Sequence, residues 1–91
     1  MSHIVVKRSG GDEAFDTKKV YASIYASMLA AHETDKTAEY VAGEVSRHVE
    51  AWVHKVGGDV SARDIRVEAG RHLLEYNHRA QFLYVHHKVM F

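Results

Sequence analysis

The chain has 91 residues, a length that suits one compact domain with one hydrophobic core. Its 12 lysines and arginines balance its 12 aspartates and glutamates, so no overall field attracts it to nucleic acid or to an anionic membrane. It has no cysteine, which excludes disulfides, thiolate metal sites and cysteine nucleophiles.

The first residues predict a β-hairpin. The segment HIVVKR is β-branched and then basic, SGGD supplies turn residues, and EAF is short enough for a returning strand. We expect this hairpin over about residues 3–15.

The rest of the chain has the apolar periodicity of α-helices. We predict helices over about residues 16–32, 35–56, 61–77 and 78–90, all within a single domain that spans residues 1–91. The residues expected to mark the buried stripes are Val20, Ile24, Met28 and Ala31 with Tyr21, Tyr25 and Leu29, then Ala38, Val41, Val45, Val49, Trp52 and Val56, then Ile65, Ala69, Leu73 and Tyr76, and finally Phe82, Val85 and Val89.

Two helix starts have clear capping signals. Ser61 is expected to cap the third helix, with Asp64 as the acid of a capping box. Phe15 and Val20 flank Asp16 at the spacing of a hydrophobic staple, which makes Asp16 the expected N-cap of the first helix. Together these elements predict an α+β fold in which a small N-terminal β-hairpin packs on a four-helix bundle.

Several classes of protein do not fit the sequence. No segment approaches the roughly 18 apolar residues of a membrane span or resembles a signal peptide, so we expect a cytoplasmic protein without membrane contacts. The eight histidines lack tight ligand spacing such as HExxH, and we interpret them as polar residues on helix surfaces, not as a metal site. No nucleophile–base pair can be placed, so we do not expect an enzyme. Arginines alternate with acids in the last two helices, which is typical of a solvated face and argues against nucleic-acid binding.

Cations cluster around the glycine turn. Lys7 and Arg8 precede it, and Lys18 and Lys19 occupy the second and third positions of the first helix. Cations there oppose the positive end of the helix dipole, at a cost of roughly 0.3–1 kcal/mol each. A bound phosphate would give them a role, because helix N-termini present free N–H groups to anions. Since strand side chains alternate, we expect one of Lys7 and Arg8 to reach the phosphates directly and the other to act from the rim.

A simpler interpretation of the same cations stays open. They are close in sequence to Asp12, Glu13 and Asp16, and all of them can form ion pairs on a solvated surface without any ligand. The charge pattern alone favours this interpretation.

The segment VVKRSGGDEAFDTKKV resembles the opening motif of the ATP-cone domain, in which a valine-rich strand runs into Lys-Arg, a glycine turn, a Phe-Asp or similar pair, and then Lys with an aliphatic residue. VSARDI resembles the start of a later helix in that family, and RAQFLYVHHKVMF resembles its C-terminal helix. The order and spacing of these segments agree over essentially the whole chain. ATP-cone domains are regulatory modules that bind ATP or dATP in ribonucleotide reductases, in the repressor of reductase genes and in some kinases.

The resemblance implies an adenine nucleotide as the ligand, with Mg²⁺ accompanying the triphosphate. Lys7, Arg8 and Lys19 would contact the triphosphate, and Lys88 would add a contact from the last helix. The other implied contacts are Glu13 and Asp16 to the sugar or adenine, Val5, Val20 and Ile65 as walls around the base, and Ser61 near the edge of the base.

Two functions follow as alternatives. In the first, the chain is a regulatory module whose helices change packing or oligomeric state when ATP or dATP binds, and a partner protein responds to that change. In the second, the fold has lost its ligand and serves as a protein–protein interaction module, through homo-oligomer or hetero-oligomer contacts. Leu83 favours the second, because the C-terminal motif of the family usually has an arginine there.

Overall fold

The structure is a computed structural model that describes residues 5–7 and 11–86. Within these residues the chain forms three short strands and four α-helices. In chain order they are β1 (Val5–Lys7), β2 (Glu13–Ala14), α1 (Thr17–Ala30), α2 (Asp35–Val56), β3 (Val60–Ser61), α3 (Ala62–Leu74) and α4 (His78–His86). The predicted α+β class is confirmed.

The strands form one sheet with the order β2-β1-β3. The predicted hairpin is present as the antiparallel pair β1–β2, in which Val6 lies opposite Glu13. On its other side β1 pairs in parallel with β3, where Val6 lies opposite Val60. The third strand was not predicted, because two residues are too few to show the period-two pattern of a strand.

The helix ends follow local capping chemistry. The Asp16 carboxylate accepts a hydrogen bond from the backbone N–H of Lys18 at 2.9 Å, and the Ser61 hydroxyl accepts one from the N–H of Asp64 at 2.9 Å. Both predicted N-caps are therefore confirmed. Helix α2 ends at Val56 and is capped by Gly57, which adopts the left-handed conformation (φ 68°) that a glycine tolerates.

Two helices are shorter than expected. Helix α1 ends at Ala30 because His32 takes a left-handed conformation (φ 68°) in the turn before α2. Helix α3 ends at Leu74, and the side chain of Asn77 accepts a hydrogen bond from the N–H of Ala80 at 2.8 Å. That hydrogen bond satisfies a free donor in the first turn of α4, and the predicted break before α4 is confirmed.

The helices enclose one core. Helix α1 packs against α2 and α4, and α3 packs against the same two helices. The largest apolar side chains at its centre, all fully buried, are Ile24, Met28, Val45, Val49, Val53 and Leu73. Val6 and Val60 join this core from the sheet, so the inner face of the sheet lies on the helices.

Some residues that were assigned to the buried stripes are exposed. They are Leu29, Val56, Tyr76, Phe82 and Val85. In α4 the buried residues are Ala80 and Tyr84, so the predicted face of this helix was wrong. A helix of nine residues holds too few turns for its apolar pattern to fix one face, and the tertiary contacts of Tyr84 decide instead. Val89 lies outside the described residues.

In the part of the chain that the structure describes, no helix is both long and apolar enough to cross a bilayer.

Candidate functional site

The sheet separates the predicted site residues onto two faces. Side chains alternate along a strand, so Val5 and Lys7 lie on the face opposite Val6. Val6 is buried against the helices, whereas Lys7 is exposed, as is Ala14, the register partner of Val5. The outer face of the sheet is therefore the face that presents Lys7.

Lys7 lies between two carboxylates. Its ammonium nitrogen is 3.1 Å from Oδ2 of Asp12, in the hairpin turn, and 3.5 Å from Oδ2 of Asp59, in the loop before β3. The hydrogen bond and the charge of Asp12, followed by the charge of Asp59, raise the pKa of Lys7 above its usual value. Lys7 therefore remains a cation with local counterions on both sides.

Lys19 brings a second ammonium group to the hairpin from the first turn of α1. Its Nζ lies 3.0 Å from Oε1 of Glu13, and both side chains are partly exposed. Glu13 lies on β2 directly opposite Val6, next to Lys7 along β1. Both lysines therefore lie at the β1–β2 hairpin, although they belong to different elements.

The first turn of α1 lacks the acids that usually stabilise a helix start. Helices α2 and α3 have Asp35 and Asp64 there, whereas the first turn of α1 contains no acidic residue and has Lys18 and Lys19. Its negative charge comes from the N-cap Asp16, which bonds the N–H of Lys18.

Ser61 lies beside Lys7 because of the strand that the sequence did not reveal. The parallel pairing of β1 with β3 sets the Cα of Ser61 opposite that of Lys7. The Ser61 hydroxyl already accepts the N–H of Asp64, as the N-cap of α3. The start of α3 is therefore adjacent to the lysine end of β1.

The residues predicted as walls around the base are not all brought together. Val20 and Ile65 belong to the buried core with Val6, and protein atoms cover their side chains. Val5 is only partly buried and lies on the outer face of the sheet. Val20 and Ile65 therefore lie in the core, whereas Val5 lies on the same face of the sheet as Lys7.

Two predicted contacts, Arg8 and Lys88, lie outside the described residues. Their roles stay predictions.

One residue at this place was missed. Asp59 was interpreted only as part of the GGD segment that ends α2, but it contacts Lys7 across the sheet. In the sequence, Asp59 is notable only as an acidic residue shortly before a helix start. Acidic residues are common at that place, so this feature does not single out Asp59. The parallel strand pairing that brings it to Lys7 joins segments distant in sequence.

The histidines need one correction. His72 was interpreted as a surface residue, but it lies partly buried, with its ring stacked on that of His48 at a centroid distance of 4.4 Å. Its Nε2 is 3.0 Å from Oε2 of Glu68. Among the described residues, no group of three or more histidine or acidic side chains is placed to hold a metal ion.

Among the described residues, Lys7 on the hairpin and Lys19 beside it are cations whose present partners are carboxylates. An ammonium group is a flexible point charge that binds phosphate oxygens as readily as carboxylate oxygens. The contacts that the simpler interpretation requires, Lys7 with Asp12 and Lys19 with Glu13, are present. Comparison with protein-family models, with curated proteins and with solved structures gave no match.

Proposed function

We propose that this chain is a regulatory nucleotide-binding domain that binds ATP or dATP, with Mg²⁺, at the hairpin and the start of α1. In this proposal the four helices form a bundle on which the sheet packs. Nucleotide binding changes the packing of these helices or the oligomeric state of the protein. A partner protein responds to the change.

The observation that carries the proposal is the convergence of Lys7 and Lys19 on one hairpin. One extends from β1 and the other from the first turn of α1, where a cation opposes the helix dipole. In this proposal the polyphosphate lies along the edge of the hairpin, where it contacts the ammonium groups of Lys7 and Lys19 and the positive end of the α1 dipole. The resemblance of this segment to the ATP-cone motif supplies the adenine nucleotide as the specific ligand.

The ion pairs in the structure are compatible with such a ligand. Lys7 and its partners are about half exposed, and the Lys19–Glu13 pair is only slightly less so. Exposed ion pairs contribute about 0–1 kcal/mol each, whereas a triphosphate offers several negative charges at once. The nucleotide can therefore replace the carboxylates as the partner of the lysines.

The test is calorimetric titration with ATP, dATP and GTP in Mg²⁺ buffer, on the natural chain and on Lys19→Ala. Lys36→Ala is the matched control, since Lys36 is exposed at the start of α2 and lies beyond the far end of α1, a helix about 21 Å long. We expect adenine-selective binding that Lys19→Ala weakens at least tenfold and Lys36→Ala leaves unchanged. Absence of binding to ATP and dATP at millimolar concentration would refute the proposal, as would equal binding of GTP.

A second function, a protein–protein interaction module without a ligand, is favoured by the exposed apolar side chains of the last two helices. Val67 and Phe82 are each more than half exposed. Such residues often mark contact surfaces when they occur together. Sedimentation of the natural chain and of Phe82→Glu separates the two functions. An oligomer that nucleotide does not affect and that Phe82→Glu dissociates would favour the interaction module.

A further inference from the structure

Lys7 is the point where three separate segments of the chain meet. It belongs to β1, and its ammonium group contacts Asp12 from the hairpin turn and Asp59 from the loop between α2 and β3. Lys7 therefore adds an electrostatic contact between the hairpin and the segment that connects α2 with α3, beside the backbone pairing of β1 with β3.

The loop that contains Asp59 begins with two glycines. It starts at Gly57 in the left-handed conformation, and a Cβ added at Gly58 would meet no atom within 4 Å. Glycines have the greatest backbone freedom of all residues. Among the described residues, Lys7 is the one cation that pairs with Asp59.

We propose that Asp12 and Asp59 compete with the ligand for Lys7, so that a polyphosphate that takes Lys7 breaks the Lys7–Asp59 contact and frees the Asp59 side chain in the α2–β3 loop. This inference rests on the proposed function, since it requires an anion to arrive at Lys7. Asp59 lies in the loop that joins α2, the longest helix, to β3 and α3, so the contact that the ligand would break lies between these elements along the chain. A ligand shifts a conformational equilibrium only through contacts that differ between the two states, and the Lys7–Asp59 pair is such a contact.

The test uses Asp59→Asn, which keeps the shape of the side chain and removes its charge. Glu39→Gln is the control, because Glu39 is exposed on α2, makes no ion pair with a described residue and gives the same change in net charge. Binding of ATP and of inorganic triphosphate is measured by calorimetry at low salt. We expect Asp59→Asn to bind both ligands about 2- to 10-fold more tightly than the natural chain, and Glu39→Gln to match the natural chain.

A second measurement follows the loop itself. In amide NMR spectra, triphosphate should shift the signals of Gly57 and Gly58 in the natural chain. Without ligand, Asp59→Asn should move the same two signals in the same direction, because the variant already lacks the pair with Lys7. Glu39→Gln should leave both signals in place.

The outcomes separate this inference from the proposed function. If the natural chain binds ATP but Asp59→Asn binds no more tightly, the competition is refuted and the nucleotide site stands. Weaker binding by Asp59→Asn would make Asp59 a direct ligand contact and would also refute the competition. If only Asp59→Asn binds, the competition is supported in its strongest form. If neither protein binds either ligand, both proposals fail together.

Discussion

The packing of α3 makes a sharp prediction, because two consecutive leucines lie in opposite environments. Leu73 is fully buried in the core, whereas Leu74, the next residue, is 40% exposed. Replacing either by alanine is the same chemical change at the same end of the same helix. The two variants therefore compare burial alone.

The expected magnitudes differ clearly. Leu73→Ala removes buried methyl groups and leaves a cavity, at a cost of about 2–5 kcal/mol in the free energy of unfolding. Leu74→Ala should cost about 1 kcal/mol or less, since much of its side chain is already in water. A domain of 91 residues typically has a total stability of about 5–14 kcal/mol, so the first variant loses a large share of it.

Urea unfolding followed by far-ultraviolet circular dichroism measures both free energies. The slope of the free energy against urea should stay the same in the two variants, which shows that the midpoints report stability. On heating, each kcal/mol should lower Tm by about 4–8 °C. Equal destabilisation by the two substitutions, or a larger loss for Leu74→Ala, would show that α3 does not pack on the face described.

Two further predictions concern a helix cap and the alkaline limit of stability. The Thr34 side chain accepts the N–H of Thr37 at 3.2 Å, so Thr34→Ala should lower the free energy of unfolding by about 0.5–2 kcal/mol, and Thr34→Ser, which keeps the hydroxyl, should restore most of it. Burial raises the pKa of Tyr84, although a hydrogen bond with Ser23 opposes this shift. A raised pKa in the folded state contributes stability below the unfolded value of about 10 and loses it as the pH rises through the folded pKa. From about pH 10 upwards, the natural chain should therefore lose stability more steeply than Tyr84→Phe, until the pH passes the raised pKa of the folded state. Identical pH profiles of the unfolding free energy would contradict this.

The parts of the fold that were predictable are those that local chemistry determines. The caps at Asp16 and Ser61 and the glycine end of α2 each depend on a few neighbouring residues, and all of them are present. Strand β3 and the position of Asp59 were not predictable, because both depend on a pairing between segments far apart in the sequence. The buried face of α4 failed for a related reason, since the environment of Tyr84 comes from other helices.

The candidate site also has features that the sequence alone indicates and features that depend on long-range pairing. Lys19 was singled out because a cation in the first turn of a helix opposes the helix dipole, and Lys7 because it precedes the glycine turn that leads to that helix; both signals are visible in sequence. Which acid each lysine meets depends on the sheet register, so Glu13 and Asp12 were equivalent candidates until the register was known. Val5 and Val20 are both valines, and the sequence does not distinguish their environments. In the structure, the alternation along β1 places Val5 on the outer face of the sheet, whereas Val20 is buried on α1.

The position of β1 between β2 and β3 has a consequence for how the protein folds. Its pairing with β2 closes a short loop, but its pairing with β3 must wait until α1 and α2 have brought distant parts of the chain together. We therefore expect α1 and α2, which share the most extensive helix contact, to form early, and the parallel pair to form late. The contact of Lys7 with Asp59 would then be made in the last step, so a partly folded chain would contain most of its helices but only the hairpin half of the candidate site.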